Sequence, residues 1–407
     1  MKMSEIVIDR QIGTPERGPY PPSLNDILSA PMAEAAFSEM SSWDEYAPTP
    51  LRQLPSLAHA LQLSALTYKD EGQRFDLGSF RALGGAYAVL RLAVGHLEGM
   101  TGTRPSLSSI HGGAYVDALG SMTVAAATDG NHGPSVAWGA RLAGYKCRIY
   151  LPKSASPALR DRIAAQGATV TVVDGGLEAA DRVCVDAARA EGWAVVSDSS
   201  YGGRSTVPGE VLAGYSVVAS ETLAQSSAPA THVFVQAGIG GLAASVAARL
   251  WQVLGSRRPK LIIVEAADSA RMIDRFRSSN DRAPWGPPLT GSEPSDMSQL
   301  AWEVLSRAGH AFLTVDRRAE GPVTRLLADG AAEVPVSAGE TAGLGLLAII
   351  GAASDPSLRE MLDLGTDSRV LTIGSERPHD EEEASAMLNT SDPRDDARLS
   401  DLHYPNP

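Results

Sequence analysis

The chain has 407 residues, of which 43% are hydrophobic and 20% are charged, and its formal net charge is −13. This length allows a large buried core shared by two lobes, and the composition is that of a water-soluble globular protein. The negative charge argues against nucleic acid or an anionic membrane as the partner. The chain contains neither an apolar leader nor an apolar run of 18 residues, which predicts no signal peptide and no membrane span. Because only Cys147 and Cys184 are present, we expect a reduced, cytoplasmic protein.

Short β-rich runs alternate with helical patterns over most of the chain. We expect helices over 156–166, over 177–191 and near 209–224. This alternation is typical of βαβ units, so the predicted fold class is α/β, with two doubly wound lobes and mainly parallel sheets. The expected organisation is a flexible arm over 1–22, a large lobe built from 23–85 and 206–377, a smaller lobe over 86–205 and an acidic, disordered tail over 378–407.

The segment from Arg74 to Tyr87 is the first that stands out in chain order. Gly84 and Gly85 interrupt a helix-prone stretch there, which indicates close packing or the approach of a ligand. From this segment alone, Arg81 would be a solvated or ion-paired side chain near the start of a helix.

Two acidic segments follow strands of the smaller lobe. In Thr128–Gly133, Asn131 could contact a ring hydroxyl or a carboxylate, and Asp129 could act as a general base at a helix N-terminus. Asp198 follows a later strand, and ligands of open α/β sheets lie beyond the carboxyl ends of strands. The two carboxylates could therefore face one substrate. The plainer alternative is a turn with capping aspartates, and for Asp198 it is slightly favoured by spacing alone.

A glycine-rich segment, Gln236–Ala243, lies between a strand and a helix. Its free N–H groups and the positive end of the helix dipole would hold a phosphate. A tight turn without a ligand is one alternative. A dinucleotide site is another, because Gly238, Gly240 and Ala243 match G-x-G-x-x-A and Glu265 ends the next strand.

Other common kinds of catalytic site find no support. The eight histidines are scattered, without a metal-binding motif, and no G-x-S-x-G segment is present.

Taken together, these segments resemble the fold-type II (tryptophan-synthase-β-like) pyridoxal-phosphate (PLP) enzymes, and among them the diaminopropionate ammonia-lyases. The resemblance runs from Tyr46–Leu51 to Gly374–Glu376. Its other matching segments are Lys69–Glu71, Arg74–Tyr87, Ala127–Gly133, Gly214–Tyr215, Ile263–Glu265, Gly291–Pro294 and Ala338–Gly345. The resemblance makes the dinucleotide reading a weak alternative.

The resemblance implies a cofactor cleft between the two lobes. Asn131 would contact the ring oxygen of PLP, and Ser375 would face the pyridine nitrogen, where the family usually has threonine. The phosphate would lie against the loop formed by Gly238, Ile239, Gly240, Gly241 and Leu242.

The resemblance also implies a reaction and a partner state. Asp129 and Asp198 match the bases that act on the D and L isomers of the substrate, respectively. The reaction removes the Cα proton of 2,3-diaminopropionate, or of a related β-substituted amino acid, expels the β-amine and yields pyruvate and ammonia. The family is commonly homodimeric and acts on a small amino acid, so we expect the same here.

The chain departs from the family at the residue that anchors the cofactor. The family motif S-F-K-A-L-G-G reads Ser79 to Gly85 with Arg81 in place of lysine. A Schiff base needs a neutral amine, whereas a guanidinium stays protonated, with a pKa above about 12. Lys69 is the nearest of the five lysines in sequence, but it already occupies a matched position. Further departures, expected near the substrate, are Pro134-Ser135, Gly202, Arg204 and Arg377.

Four interpretations stay open at this point. The chain could keep the lyase reaction with PLP bound without a covalent bond and with slow turnover. It could be a non-catalytic or repurposed homologue that binds an amino acid or phosphate ligand. It could be a Lys→Arg variant made from an active lyase. The weakest interpretation is an NAD(P)-dependent oxidoreductase.

Overall fold

The computed structural model describes residues 6–200, 205–279, 297–330, 334–339 and 341–389. The strands are β1 (Val7–Ile12), β2 (Leu51–Gln53), β3 (Ala65–Asp70), β4 (Thr123–Ala127), β5 (Lys146–Pro152), β6 (Thr169–Val173), β7 (Ala194–Val195), β8 (His232–Gln236), β9 (Lys260–Ala266), β10 (Gly309–Val315) and β11 (Arg369–Gly374).

The helices surround these strands, and those predicted over 156–166, over 177–191 and near 209–224 are α8, α9 and α10. The full set is α1 (Asn25–Leu28), α2 (Ala30–Met40), α3 (Pro55–Ala60), α4 (Arg81–Thr101), α5 (Leu107–His111), α6 (Val116–Leu119), α7 (His132–Ala143), α8 (Pro157–Ala165), α9 (Leu177–Glu191), α10 (Thr206–Gln225), α11 (Gly241–Leu254), α12 (Arg271–Ser279), α13 (Gln299–Ala308), α14 (Glu320–Ala328), α15 (Leu344–Ser354), α16 (Pro356–Leu362) and α17 (Glu381–Asn389).

Two separate sheets form the framework. The larger has the order β1-β10-β9-β8-β11-β3-β2, and the smaller has the order β6-β5-β4-β7. Every pairing is parallel except those of the edge strands β1 and β2. All five residues of β8 are buried, as expected for a central parallel strand covered by helices on both faces. The predicted α/β class with mainly parallel sheets is confirmed.

Both ends of the chain contribute regular structure. In the segment expected to be a flexible arm, β1 pairs with β10. In the segment expected to be a disordered tail, α17 packs against α14; residues 390–407 lie outside the described part. Within the described ranges, no helix combines the length and apolarity that a membrane crossing requires.

Glycines allow α4 to lie very close to its neighbours. A Cβ on Gly84 would lie 2.3 Å from Cε1 of Tyr215 in α10, and one on Gly85 would lie 2.5 Å from Oγ of Ser135 in α7. Since no side chain fits at either place, both positions require glycine. Arg81 is the first residue of this closely packed helix.

Candidate active site

A crevice opens where β8 and β11 separate. Their pairing ends at Phe234 and Thr372, although the strands continue to Gln236 and Gly374. The strand order runs from β8 toward β9 on one side and from β11 toward β3 on the other, so this is the switch point of the large sheet. Ligands of open α/β folds bind at such points, beyond the carboxyl ends of the strands.

A cavity of about 350 Å³ occupies this crevice. It brings together nine of the ten residues singled out in the sequence, and Asp198 contacts one of them, Arg81. The nine are Arg81, Asp129, Asn131, Gly238, Ile239, Gly240, Gly241, Leu242 and Ser375.

The glycine loop after β8 has the features of an anion cradle. No backbone N–H from Gly238 to Ala243 donates to another group within the described residues, whereas the next one, on Ala244, bonds to Gly240. A Cβ on Gly238 would meet nothing within 4 Å, which leaves open space beside the loop. Gly240 has φ +94°, and a Cβ there would lie 2.4 Å from Met272. The loop therefore needs glycine at 240 and leaves six backbone donors without an acceptor, and five of them belong to residues that line the cavity.

Asn131 lines the cavity and contacts two distant parts of the chain. Its Nδ2 donates to Glu376 over 2.6 Å, and its Oδ1 accepts from Arg162 over 3.1 Å. Arg162 also donates to the carbonyl of Leu77. A side-chain amide carries two N–H groups, so one donor of Asn131 remains for a ligand.

Ser375 follows β11 and is buried. Its hydroxyl lies 3.2 Å from that of Thr341, which donates to Glu376 over 2.8 Å. The sequence analysis did not identify Thr341 or Glu376 as site residues. Thr341 lies within the matched segment Ala338–Gly345, and that match was the one signal that could have identified it.

Arg81 forms an ion pair with Asp198 from the smaller lobe. Burial by itself would lower the pKa of Arg81, but Asp198 and the other acidic groups nearby together outweigh burial and raise the pKa above the ordinary value. Burial acts to raise the pKa of Asp198, but His132 and Arg81 outweigh it and hold the pKa below its usual range. Both groups are therefore charged at neutral pH.

Two further residues that the sequence analysis did not single out lie beside this pair. His132 donates from Nε2 to the carbonyl of Val196, which leaves its Nδ1 3.9 Å from Asp198. The Tyr215 hydroxyl is buried, and its pKa is raised mainly by burial. Both residues occur inside matched segments.

None of the described lysines lines the cavity. Lys69 is fully buried and donates to Glu221, to Gln225 and to the carbonyl of Thr49. Lys146 is exposed, Lys153 pairs with Asp174, and Lys260 pairs with Asp363; Lys2 lies outside the described residues. This part of the chain offers no substitute for the missing lysine.

Asp129 differs from Asp198 in its surroundings. Its side chain is exposed at the cavity wall, and none of the ion pairs among the described residues includes it. Of the two predicted bases, Asp198 is the one in ion-pair contact with Arg81.

The described departures expected near the substrate, Pro134, Ser135 and Arg377, do not line the cavity. Ser135 accepts from the N–H of Ala86 and donates to the carbonyl of Ala82, which ties α7 to α4. Arg377 is exposed and donates to the carbonyl of Asp76. Gly202, Arg204 and the segment Gly291–Pro294 lie outside the described residues.

Glu265, the residue on which the dinucleotide alternative depended, is not available to a ribose. It is 1% exposed, and its two carboxylate oxygens accept the N–H groups of Met272 and Ile273 at the start of α12. The geometry therefore removes the feature that favoured a dinucleotide.

Comparisons with known proteins agree with this arrangement. The model of the family described as pyridoxal-phosphate dependent enzyme matches residues 43–375. The diaminopropionate ammonia-lyase of Escherichia coli K12 is 33% identical over 345 residues, which cover 81% of this chain and 84% of that protein.

Two crystal structures of the Escherichia coli diaminopropionate ammonia-lyase superpose with TM-scores of 0.82. The holo form is 28% identical and covers 94% of this chain and 97% of that one. The complex with D-serine is 29% identical and covers 95% of this chain and 98% of that one. The chain thus belongs to the pyridoxal-phosphate dependent enzyme family, on the branch of the diaminopropionate ammonia-lyases.

Proposed function

We propose that this chain is a carbon–nitrogen lyase that binds PLP without a covalent bond and acts slowly on 2,3-diaminopropionate or a related β-substituted amino acid. With water, the reaction gives pyruvate and two molecules of ammonia. The observation that carries the proposal is the crevice between β8 and β11, where the free N–H groups of the loop, Asn131, Ser375 and Asp129 meet. The activity named for the Escherichia coli relatives supports this reaction and a small amino acid as substrate.

The residues present fit PLP at its phosphate and its ring. Six free N–H groups and the N-terminus of α11 suit a phosphate, the hydroxyl of Ser375 suits a pyridine nitrogen, and the spare N–H of Asn131 suits a ring oxygen. Only the covalent anchor is missing, because the Arg81 guanidinium cannot act as the amine nucleophile. When bound, PLP supplies an electron sink for the negative charge left at the Cα of an amino acid.

The two aspartates are unequal as bases in this chain. Arg81 holds the carboxylate of Asp198 in an ion pair and lowers its pKa, which weakens it as a proton acceptor. Asp129 is exposed in the cavity and has no such partner among the described residues. We therefore propose that Asp129 removes the Cα proton and that turnover favours the D isomer.

The test is pyruvate release by the purified protein with PLP, measured with D- and L-2,3-diaminopropionate, beside an Arg81→Lys variant. We expect slow release from the D isomer by the parent and fast release from both isomers by the variant. If the lysine variant binds PLP but releases no pyruvate from either isomer, the lyase proposal fails.

The second candidate is a non-catalytic homologue that binds an amino acid or phosphate ligand in the same cavity. The ion pair between Arg81 and Asp198 favours this candidate, because it engages both the residue at the anchor position and one of the two predicted bases. Binding of PLP and an amino acid by the parent, with no pyruvate released by either protein, would support this candidate.

The proposal also includes a cytoplasmic homodimer, as in the family. Light scattering of the purified protein during size-exclusion chromatography distinguishes a dimer from a monomer of 42.7 kDa.

A further inference from the structure

Gln236 is the last residue of β8 and lies in the crevice. Its neighbours Val235 and Ala237 belong to the core that includes α11, and Phe234 belongs to the core that includes α15. Since side chains alternate along a strand, Gln236 faces the α15 side. It lines the cavity there with Thr341, Leu344 and Ser375.

The carboxamide of Gln236 is buried without a partner. The residue is 7% exposed, and neither its Nε2 nor its Oε1 has a hydrogen bond. A buried amide without hydrogen bonds destabilises a folded protein, so native structures rarely contain one unless a ligand completes it. The side chain lines a cavity rather than a closed core, which is where a ligand can supply the missing partner.

The crevice would hold both the phosphate and the pyridine ring of PLP, and the position of Gln236 distinguishes between these two ends. The backbone donors from Gly238 to Ala243 lie just before α11 and in its first turn, where they would hold the phosphate. Gln236 lies on the α15 side, two residues beyond the last β8–β11 pair, Phe234 with Thr372; Gly374, two residues beyond that pair on β11, immediately precedes Ser375. This is the end of the crevice where a pyridine nitrogen is expected.

We propose that Gln236 is a further cofactor-binding residue, whose carboxamide hydrogen-bonds the pyridine-nitrogen end of PLP beside Ser375. A carboxamide both donates and accepts, so it can pair with the ring nitrogen in either protonation state. The inference depends on the binding of PLP, not on the proposed elimination.

The test replaces Gln236 with the nearly isosteric methionine and uses PLP labelled with ¹⁵N in the ring. For Gln236→Met we expect about tenfold weaker PLP binding in equilibrium dialysis, equivalent to about 1.4 kcal/mol. We also expect a shifted ring ¹⁵N resonance. The unfolding midpoint of the cofactor-free protein should stay equal or rise, because an unpaired buried amide has been removed.

The control is Gln252→Met in α11. Gln252 donates from Nε2 to the carbonyl of Leu28 and does not line the cavity, so its loss should lower the unfolding midpoint and leave the ¹⁵N resonance unchanged. A second variant, Gln236→Glu, places a carboxylate at the same position and should move the resonance toward that of a protonated ring. If Gln236→Met does not fold, the Gln236→Glu variant tests the same proposal.

Parent-like affinity and an unchanged resonance in the Gln236 variants would overturn this inference while leaving PLP binding and the lyase proposal intact. If the parent itself does not bind PLP, the inference and the proposed function fail together.

Discussion

The guanidinium of Arg81 donates a hydrogen bond to the carboxylate of Asp198, which lies 117 residues later in the chain and in the other lobe. The side chains are 27% and 17% exposed, so water screens the pair only in part. One contact thus joins the position of the missing cofactor anchor to one of the two predicted bases. Arginine in place of lysine at position 81 therefore removes the covalent anchor and also lowers the basicity of the Asp198 carboxylate.

An Arg81→Lys variant should regain the covalent bond to the cofactor. A lysine amine can be deprotonated, whereas the guanidinium of Arg81 cannot. After borohydride treatment, mass spectrometry should find PLP on residue 81 of the variant and on no lysine of the parent. We expect pyruvate release to rise by about 100-fold or more, the scale of a restored acid–base group.

The matched control is Arg91→Lys, on the same helix, where Arg91 pairs with Glu210 outside the cavity. The Arg91→Lys variant should acquire no PLP adduct, and its rate of pyruvate release should stay at the slow rate of the parent. A borohydride-stable adduct on a lysine of the parent would contradict our interpretation of Arg81.

The preference between substrate isomers should depend on Arg81. In the parent, the rate with D-diaminopropionate should exceed the rate with the L isomer, because Asp198 is held in the ion pair and Asp129 is not. In the Arg81→Lys background, Asp129→Asn should lower the D rate and Asp198→Asn the L rate, each by about 100-fold or more. Equal D and L rates in the parent would show that the ion pair does not limit Asp198.

Gly84 and Gly95 lie on the same helix and should respond oppositely to alanine. A Cβ on Gly84 would lie 2.3 Å from the Tyr215 ring, so Gly84→Ala should destabilise the fold by about 1–3 kcal/mol. A Cβ on Gly95 would meet nothing within 4 Å, so Gly95→Ala should stabilise it by about 0.5–1 kcal/mol. Urea unfolding measures both, and a stable Gly84→Ala variant would show that α4 and α10 can separate at little cost.

The packing of α17 should weaken as the pH rises. His379 donates from Nδ1 to Glu383 over 2.7 Å, and this hydrogen bond raises the pKa of His379. A histidine whose pKa is raised on folding stabilises the folded state. This contribution is complete below the unfolded histidine pKa of about 6.5, and it is lost as the pH rises through the pKa of the folded state. Burial acts to raise the pKa of Glu383, but His379 outweighs it and lowers the pKa, so Glu383 stays charged throughout.

Amide hydrogen exchange over residues 381–389, corrected for the intrinsic rate, should therefore be faster at pH 8.5 than at pH 6. Arg162 and Glu376 also face His379, and the guanidinium of Arg162 stays charged over this range. A His379→Gln variant should exchange equally at both pH values. The same pH dependence in that variant would assign the effect to another group.

The sequence by itself determined the α/β class, the glycine loop, the family and the identity of position 81. These features depend on local patterns: strands and helices differ in hydrophobic period, and a phosphate loop needs glycines at fixed spacing before a helix. The assignment of PLP and of the lyase branch followed from several such motifs in order, and the comparisons confirm it.

Only the tertiary structure decided which side chains meet. The strand order opens the crevice between β8 and β11, and the close packing of α4 brings Arg81 to Asp198. The same packing ties Ser135 to α4, and a separate contact pairs the buried Lys69 with Glu221 of α10, outside the cavity lining. Such contacts join segments that are distant in sequence, so no local pattern specifies them; they depend on how the strands and helices pack.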